Sequence, residues 1–153
     1  MNDEILKKNI FDYINRTKLA VLGTVRSDQV PALRVMGKFA LDGLDIVFST
    51  PVKTGKVEQI AQNPAVSFYF QHEGQPRELF RNVTITGTAR RLTEGAEVEK
   101  AIRLLDERIP KLNAKTESGE KKETAIFRVT TKEIKYLDYS LGRGKEGVRE
   151  LIL

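Results

Sequence analysis

The sequence predicts a mainly β protein of the α+β class, an antiparallel barrel of six strands with helices closing its openings. Runs of alternating apolar and polar residues recur through most of the chain, and short turns that suit hairpins join several of them. The apolar period switches to a helical one in only three places, so the order reads helix, three strands, helix, two strands, helix, strand.

The first helix runs from about Asp3 to Arg16, where Leu6, Ile10, Tyr13 and Ile14 recur at the spacing of a face packed on a sheet. Lys18 to Val25 is strand-like, and Arg26-Ser27-Asp28-Gln29 turns the chain into a second strand. In Leu33 to Phe39 strict alternation places Leu33, Val35, Gly37 and Phe39 on one face and Arg34, Met36 and Lys38 on the other. A turn at Leu41-Asp42-Gly43 leads to a third strand, Leu44 to Thr50, and a short helix from Thr54 to Gln62 buries Val57, Ile60 and Ala61 before Pro64. Two strands follow, Val66 to Phe70 and about Glu78 to Leu92. Phe68, Tyr69 and Phe70 read as barrel packing rather than a base-stacking platform. Ala101, Val98, Ile102 and Leu105 mark the third helix, Lys111 to Glu123 a mobile surface loop, and Thr124 to about Tyr139 the last strand.

A chain of 153 residues with 40% hydrophobic content builds one core, so a single domain is expected over residues 1–153. No apolar run approaches a membrane span or a signal peptide, which predicts a soluble, cytoplasmic protein with no membrane partner. Cysteine is absent, which excludes disulfides, zinc-thiolate sites, iron–sulfur clusters and thiol catalysis. The single histidine, His72, excludes a multi-histidine metal centre within one chain, and no metal site is expected. A net charge of +5 favours anionic partners, yet acids and bases alternate as in Glu120-Lys121-Lys122-Glu123, so nucleic acid is not an expected partner.

One stretch carries chemistry. Arg34 stands in a strand, a second strand ends in the hydroxyls of Ser49 and Thr50, and a helix then opens at Thr54 with Lys56 in its first turn. A lysine there opposes the helix dipole and asks for an anion, which the free N–H groups of that turn also favour. Thr54 reads equally as a hydroxyl donor or a simple N-cap.

Several landmarks in order resemble the pyridoxamine 5'-phosphate oxidase-like split barrels, a family that binds flavin mononucleotide (FMN). They are Leu22-Gly23-Thr24-Val25, Pro31 with Arg34-Val35-Met36, Phe48-Ser49-Thr50, Thr54-Gly55-Lys56, Asn63-Pro64-Ala65-Val66, and Arg81-Asn82-Val83 ahead of Gly87. The resemblance covers about Lys18 to Leu92 and implies a Greek-key split β-barrel with flanking helices. It implies that Arg34, Lys56 and Thr54 hold the FMN phosphate, and that backbone groups of Val35, Met36, Gly37, Ser49 and Thr50 line the flavin ring. Asn82, where the family often has glutamine, would bond the ring's polar edge. The family builds its sites from two chains, which implies a homodimer with sites at the subunit interface and a C-terminal segment, Tyr139 and Arg143 included, that reaches the partner's cofactor.

The resemblance also implies an FMN-dependent oxidoreductase of a small-molecule substrate, with no catalytic residue identified. The Arg-x-His element of the true vitamin B6 oxidase is missing, so pyridoxamine phosphate is not the expected substrate. A non-catalytic flavin sensor or carrier would share every cofactor residue, and a deazaflavin-dependent reductase would use the same phosphate clamp. A haem-binding protein of related fold would take His72 as its ligand. Gly142 to Gly147 fits G-x-G-x-x-G but opens no βαβ unit and reads as a tail. Asn82-Val83-Thr84 is a glycosylation sequon without a secretory signal.

Overall fold

The computed structural model describes residues 2–110 and 123–153. Helix α1 (Asp3–Asn15) begins where the Asn2 side chain accepts a hydrogen bond from the Ile5 N–H at 2.9 Å, with Asp3 and Glu4 against the positive end of the helix. Its buried stripe is Leu6, Ile10, Tyr13 and Ile14, as the periodicity predicts. Strands β1 (Ala20–Val25) and β2 (Pro31–Met36) form a hairpin, as do β3 (Phe39–Asp42) and β4 (Asp45–Pro51). After α2 (Gly55–Gln62) come β5 (Ala65–Gln71) and β6 (Arg81–Leu92), then α3 (Ala96–Arg108), β7 (Thr124–Asp138) and β8 (Val148–Ile152).

Every strand pairing is antiparallel, in the order β2-β1-β5-β6-β7-β4-β3, with β8 on β7. The two ends of this path, β2 and β3, are joined by Gly37 and Lys38 alone, so the sheet must curl until its edges meet at that corner. Strand β7 pairs with β4 along its first half and with β8 along its second. The result is a curled half-barrel with three helices, the predicted split-barrel class, built from eight strands rather than six.

Both extra strands have a physical origin. The run Leu33 to Phe39 alternates without interruption, but the corner at Gly37-Lys38 breaks it into β2 and β3 and inverts the face. Leu33 and Val35 are 72% and 62% exposed, whereas Phe39 of the same parity is fully buried. The segment read as a tail forms two short 3-10 turns and then β8. Gly147 is required there, since a Cβ would lie 2.5 Å from the Gly142 carbonyl oxygen. The predicted long strand from Glu78 starts at Arg81, after a 3-10 turn over Arg77–Leu79. The predicted loop from Lys111 lies, up to residue 122, outside the described residues.

The barrel interior is aromatic. Phe39, Phe48, Phe68, Phe70 and Phe127 pack with Leu22, Ile85, Ile134 and Tyr136, and ring centroids of Phe48 lie 5.6 Å from Phe68 and 5.1 Å from Phe127. Tyr69, grouped with this packing in the sequence, is half-buried and points outward. Helix α3 covers the opposite face of β3 and β4 through Ala101 and Leu105 on Ala40 and Val47. Arg108 ties its end down by donating to the carbonyls of Phe39 and Thr17. At the β3–β4 turn, Arg128 bridges Asp42 and Asp45 at 2.7 and 2.9 Å. Strand β6 carries a bulge at Thr86/Gly87, where a Cβ on Gly87 would meet the Thr130 carbonyl oxygen at 2.1 Å.

Candidate functional site

The corner where the sheet edges meet gathers most of the basic and hydroxyl groups picked out in the sequence. Arg34 is the cross-strand partner of Leu22, a core residue, so its side chain lies on the inner face of the edge strand β2. Arg34 Nη1 donates to Thr24 Oγ1 at 2.7 Å and, at 3.3 Å, to the carbonyls of Leu22 and Ala32. Its Nη2 donates to Gln59 Oε1 at 3.0 Å, and the Thr24 hydroxyl donates to that same oxygen. The guanidinium is thereby oriented against α2, and its Nε/Nη2 edge still offers the fork geometry that takes two oxygens.

Lys56 stands in the first turn of α2, one helical turn before Gln59. Burial, and after it the positive charge of Arg34, hold its ammonium below the usual lysine range. Burial likewise lowers Arg34. Arg26, Arg90 and Arg128 all have acidic partners, but among the described residues neither Arg34 nor Lys56 has one. Thr54 occupies the N-cap position without capping: its hydroxyl donates to the Pro51 carbonyl at 3.2 Å. Two like charges beside a helix start without a side-chain cap are an arrangement that an anion would relieve.

The backbone stretches expected beside a ring also come together. Ser49 N–H donates to the Lys38 carbonyl at 3.2 Å, which sets residues 49–50 next to the 35–37 edge. Met36 is buried and Val35 exposed. Thr50 is 2% exposed and its Oγ1, like Arg108 Nε, has no hydrogen-bond partner among the described residues. Asn82 is not part of this corner. It alternates with the core residue Val83, pairs with Gln71 and Leu137, and neighbours the Tyr69 hydroxyl on the outer face. Arg34 and Asn82 of one chain therefore lie on opposite faces of the sheet.

Thr24 and Gln59 were not singled out in the sequence. Gln59 had a usable signal, because its i+3 spacing from Lys56 puts both on one helix face. His72 is committed elsewhere: its ring stacks on Tyr13 at 3.7 Å, and Nε2 donates to the Tyr13 carbonyl at 2.8 Å. Tyr139, the other aromatic of interest, has Arg143 over its ring at 5.1 Å and packs on Phe80.

Solved structures of similar fold include a Clostridium acetobutylicum protein related to general stress protein 26 of the pyridoxinephosphate oxidase family. It is 18% identical with TM-score 0.74, covering 99% of this chain and 97% of that one. General stress protein 26 from Bacillus anthracis is 18% identical with TM-score 0.68 over 97% and 98%. A heme binding protein from Mycobacterium smegmatis is 14% identical with TM-score 0.75, over 99% of this chain and 59% of that one. No curated protein matches the chain. Among the described residues no helix is long and apolar enough to cross a membrane. The profile of the family named for pyridoxamine 5'-phosphate oxidase matches residues 6–138, and with most of the chain thus covered the protein belongs to that family.

Proposed function

We propose that the chain binds FMN at the β2–α2 corner and serves as a flavin-dependent oxidoreductase of a small molecule. The observation that carries this is the Arg34 and Lys56 pair, held together with no carboxylate partner among the described residues at the uncapped start of α2. Arg34 forks onto two phosphate oxygens, Lys56 adds a point charge, and the first N–H groups of α2 with the Thr54 hydroxyl complete the cradle. The edge backbone at Val35, Met36 and Gly37, with Ser49 and Thr50 beside it, offers N–H and C=O groups to the ring. Bound FMN supplies the hydride and electron transfer, and the protein supplies position and field.

The placement of Asn82 favours a homodimer. A ring entering from the Arg34 corner of one copy meets Asn82 through a second copy laid on the outer face. That face carries the exposed Leu33 and Val35 and, near its far edge, the groove of Lys135, Leu137, Tyr139 and Val148. Haem is the rival suggested by the Mycobacterium smegmatis structure, but His72 is stacked on Tyr13 and donates through Nε2 to its carbonyl, so that only Nδ1 keeps a lone pair for iron. The visible spectrum of purified protein, followed by denaturation and identification of what is released, tests the reading. A flavin envelope with FMN released is expected. A haem band, or a colourless protein that refuses added FMN, overturns it. Turnover with reduced nicotinamides then separates an enzyme from a flavin sensor or carrier, and titration with a deazaflavin tests the other cofactor.

A further inference from the structure

We infer that Gln59 is a positioning residue of this site, its carboxamide oriented so that the protein selects a phosphate-bearing flavin over the unphosphorylated one. The inference rests on the FMN reading above. An amide has an acceptor end and a donor end, and here their directions are set by chemistry. Arg34 has only donors, so the atom that receives its Nη2 at 3.0 Å is the Gln59 oxygen, and the Thr24 hydroxyl takes the remaining lone pair of that oxygen. The amide nitrogen is thereby turned the other way. It lies 3.6 Å from where a Cβ on Gly55 would sit, at the first residue of α2. One carboxamide thus holds the Arg34 guanidinium in place with its oxygen and presents N–H donors at the helix start, beside Lys56 on the same helix face.

Two consequences follow for anions. The donor end adds to the N–H groups already facing a phosphate, while the acceptor end is neutral and leaves both cationic charges for the ligand. Glutamate in the same place would take the Arg34 hydrogen bonds as a carboxylate and cancel one of those charges. The network therefore accounts for glutamine rather than the equally helix-favouring glutamate at this position.

Dissociation constants for FMN and for riboflavin, read by quenching of flavin fluorescence in the full-length protein, test the inference. Q59M keeps the length and the helix propensity but neither amide function, and is expected to weaken FMN roughly 10-fold, the equivalent of one charge-assisted hydrogen bond, with riboflavin unchanged. Q59E is expected to lose about 100-fold or more for FMN, because a charge is cancelled as well. Inorganic phosphate should compete with FMN in the wild type and less well in either variant. T24V, which frees the carboxamide without touching it, should lower FMN affinity by a smaller factor and guards against a folding defect in the Gln59 variants.

A Q59M protein with the wild-type FMN-to-riboflavin ratio, alongside an R34M protein that has lost it, would mean Gln59 merely packs and would overturn this inference while the phosphate site stands. If R34M also keeps the ratio, the phosphate-site reading falls and this inference with it.

Discussion

Replacing Arg34 by methionine separates binding from folding. The guanidinium donates to Thr24 and Gln59 through Nη1 and Nη2, and in the proposed complex its Nε/Nη2 edge would take the phosphate oxygens. Loss of that charge-assisted fork is expected to cost roughly 1.5–3 kcal/mol of FMN affinity, which is a rise of about 10- to 150-fold in Kd. Riboflavin, with no phosphate, should bind R34M as it binds the wild type. Without ligand the variant should scarcely suffer. The Thr24 to Gln59 hydrogen bond survives, and Lys56 is relieved of a like charge that lowers its pKa. The unfolding free energy of the apo protein in urea should therefore change by no more than about 1 kcal/mol. Fluorescence titration of the two flavins alongside urea unfolding gives all three numbers from one preparation. An FMN Kd within twofold of wild type would refute the site. An equal loss for both flavins would refute the phosphate argument and point to a general disturbance of the corner.

Lys56→Ala should weaken FMN by a comparable roughly 1.5–3 kcal/mol, again sparing riboflavin, and an unchanged Kd would remove Lys56 from the site. Phe68→Ala deletes a fully buried ring packed among Phe39, Phe48 and Phe70, and about 3–5 kcal/mol of unfolding free energy should go with it; wild-type stability would place that ring outside the core. Gly87→Ala forces a Cβ onto the Thr130 carbonyl at 2.1 Å, and the bulge should shift at a cost of roughly 3 kcal/mol, read in the same assay. Hydrogen bonds from Arg128, chiefly, hold the Asp42 carboxyl below its ordinary 3.8. A depressed folded pKa contributes stability that is fully present above the unfolded value and lost as pH falls through the folded one. The wild type should thus exceed Asp42→Asn by roughly 1–3 kcal/mol at neutral pH, and the gap should close below about pH 4; a gap constant with pH would mean the ion pair contributes nothing.

Period-2 alternation made the strands legible, and electrostatics drew attention to Arg34 and Lys56, which the fold brings close enough for one charge to act on the other. What alternation cannot show is where a run changes strands. From Leu33 to Phe39 the pattern never falters, yet Leu33 is exposed and Phe39 buried, since the corner at Gly37-Lys38 carries the chain from one sheet edge to the other. That event belongs to barrel closure, a tertiary fact. Strand β8 was hidden for another reason: the glycines ahead of it resemble a flexible tail, while Gly147 is in fact demanded by a close backbone approach. Thr24 and Gln59 escaped notice because their partner, Arg34, is contributed by a third element, and only packing brings β1, β2 and α2 together.

The same packing supplies the electrostatic argument for the proposed ligand. Two partly buried cations with no carboxylate partner among the described residues, one of them held down further by the charge of the other, repel each other and oppose the positive end of α2. Natural surfaces relieve such strain with an acid, and this chain does so at Arg26, Arg90 and Arg128. At Arg34 it places a neutral carboxamide instead. A dianion arriving there removes the repulsion and pairs both charges, so its binding energy includes strain already present in the apo state and stabilises the fold by mass action. An uncharged ring system gains nothing from that strain. A metalloporphyrin would have to find its iron ligand outside this corner, and His72, with Nε2 donating to Tyr13, has only Nδ1 to offer. The proposed preference for a phosphate-bearing flavin would thus rest on what the corner withholds, a counter-charge, as much as on what it offers.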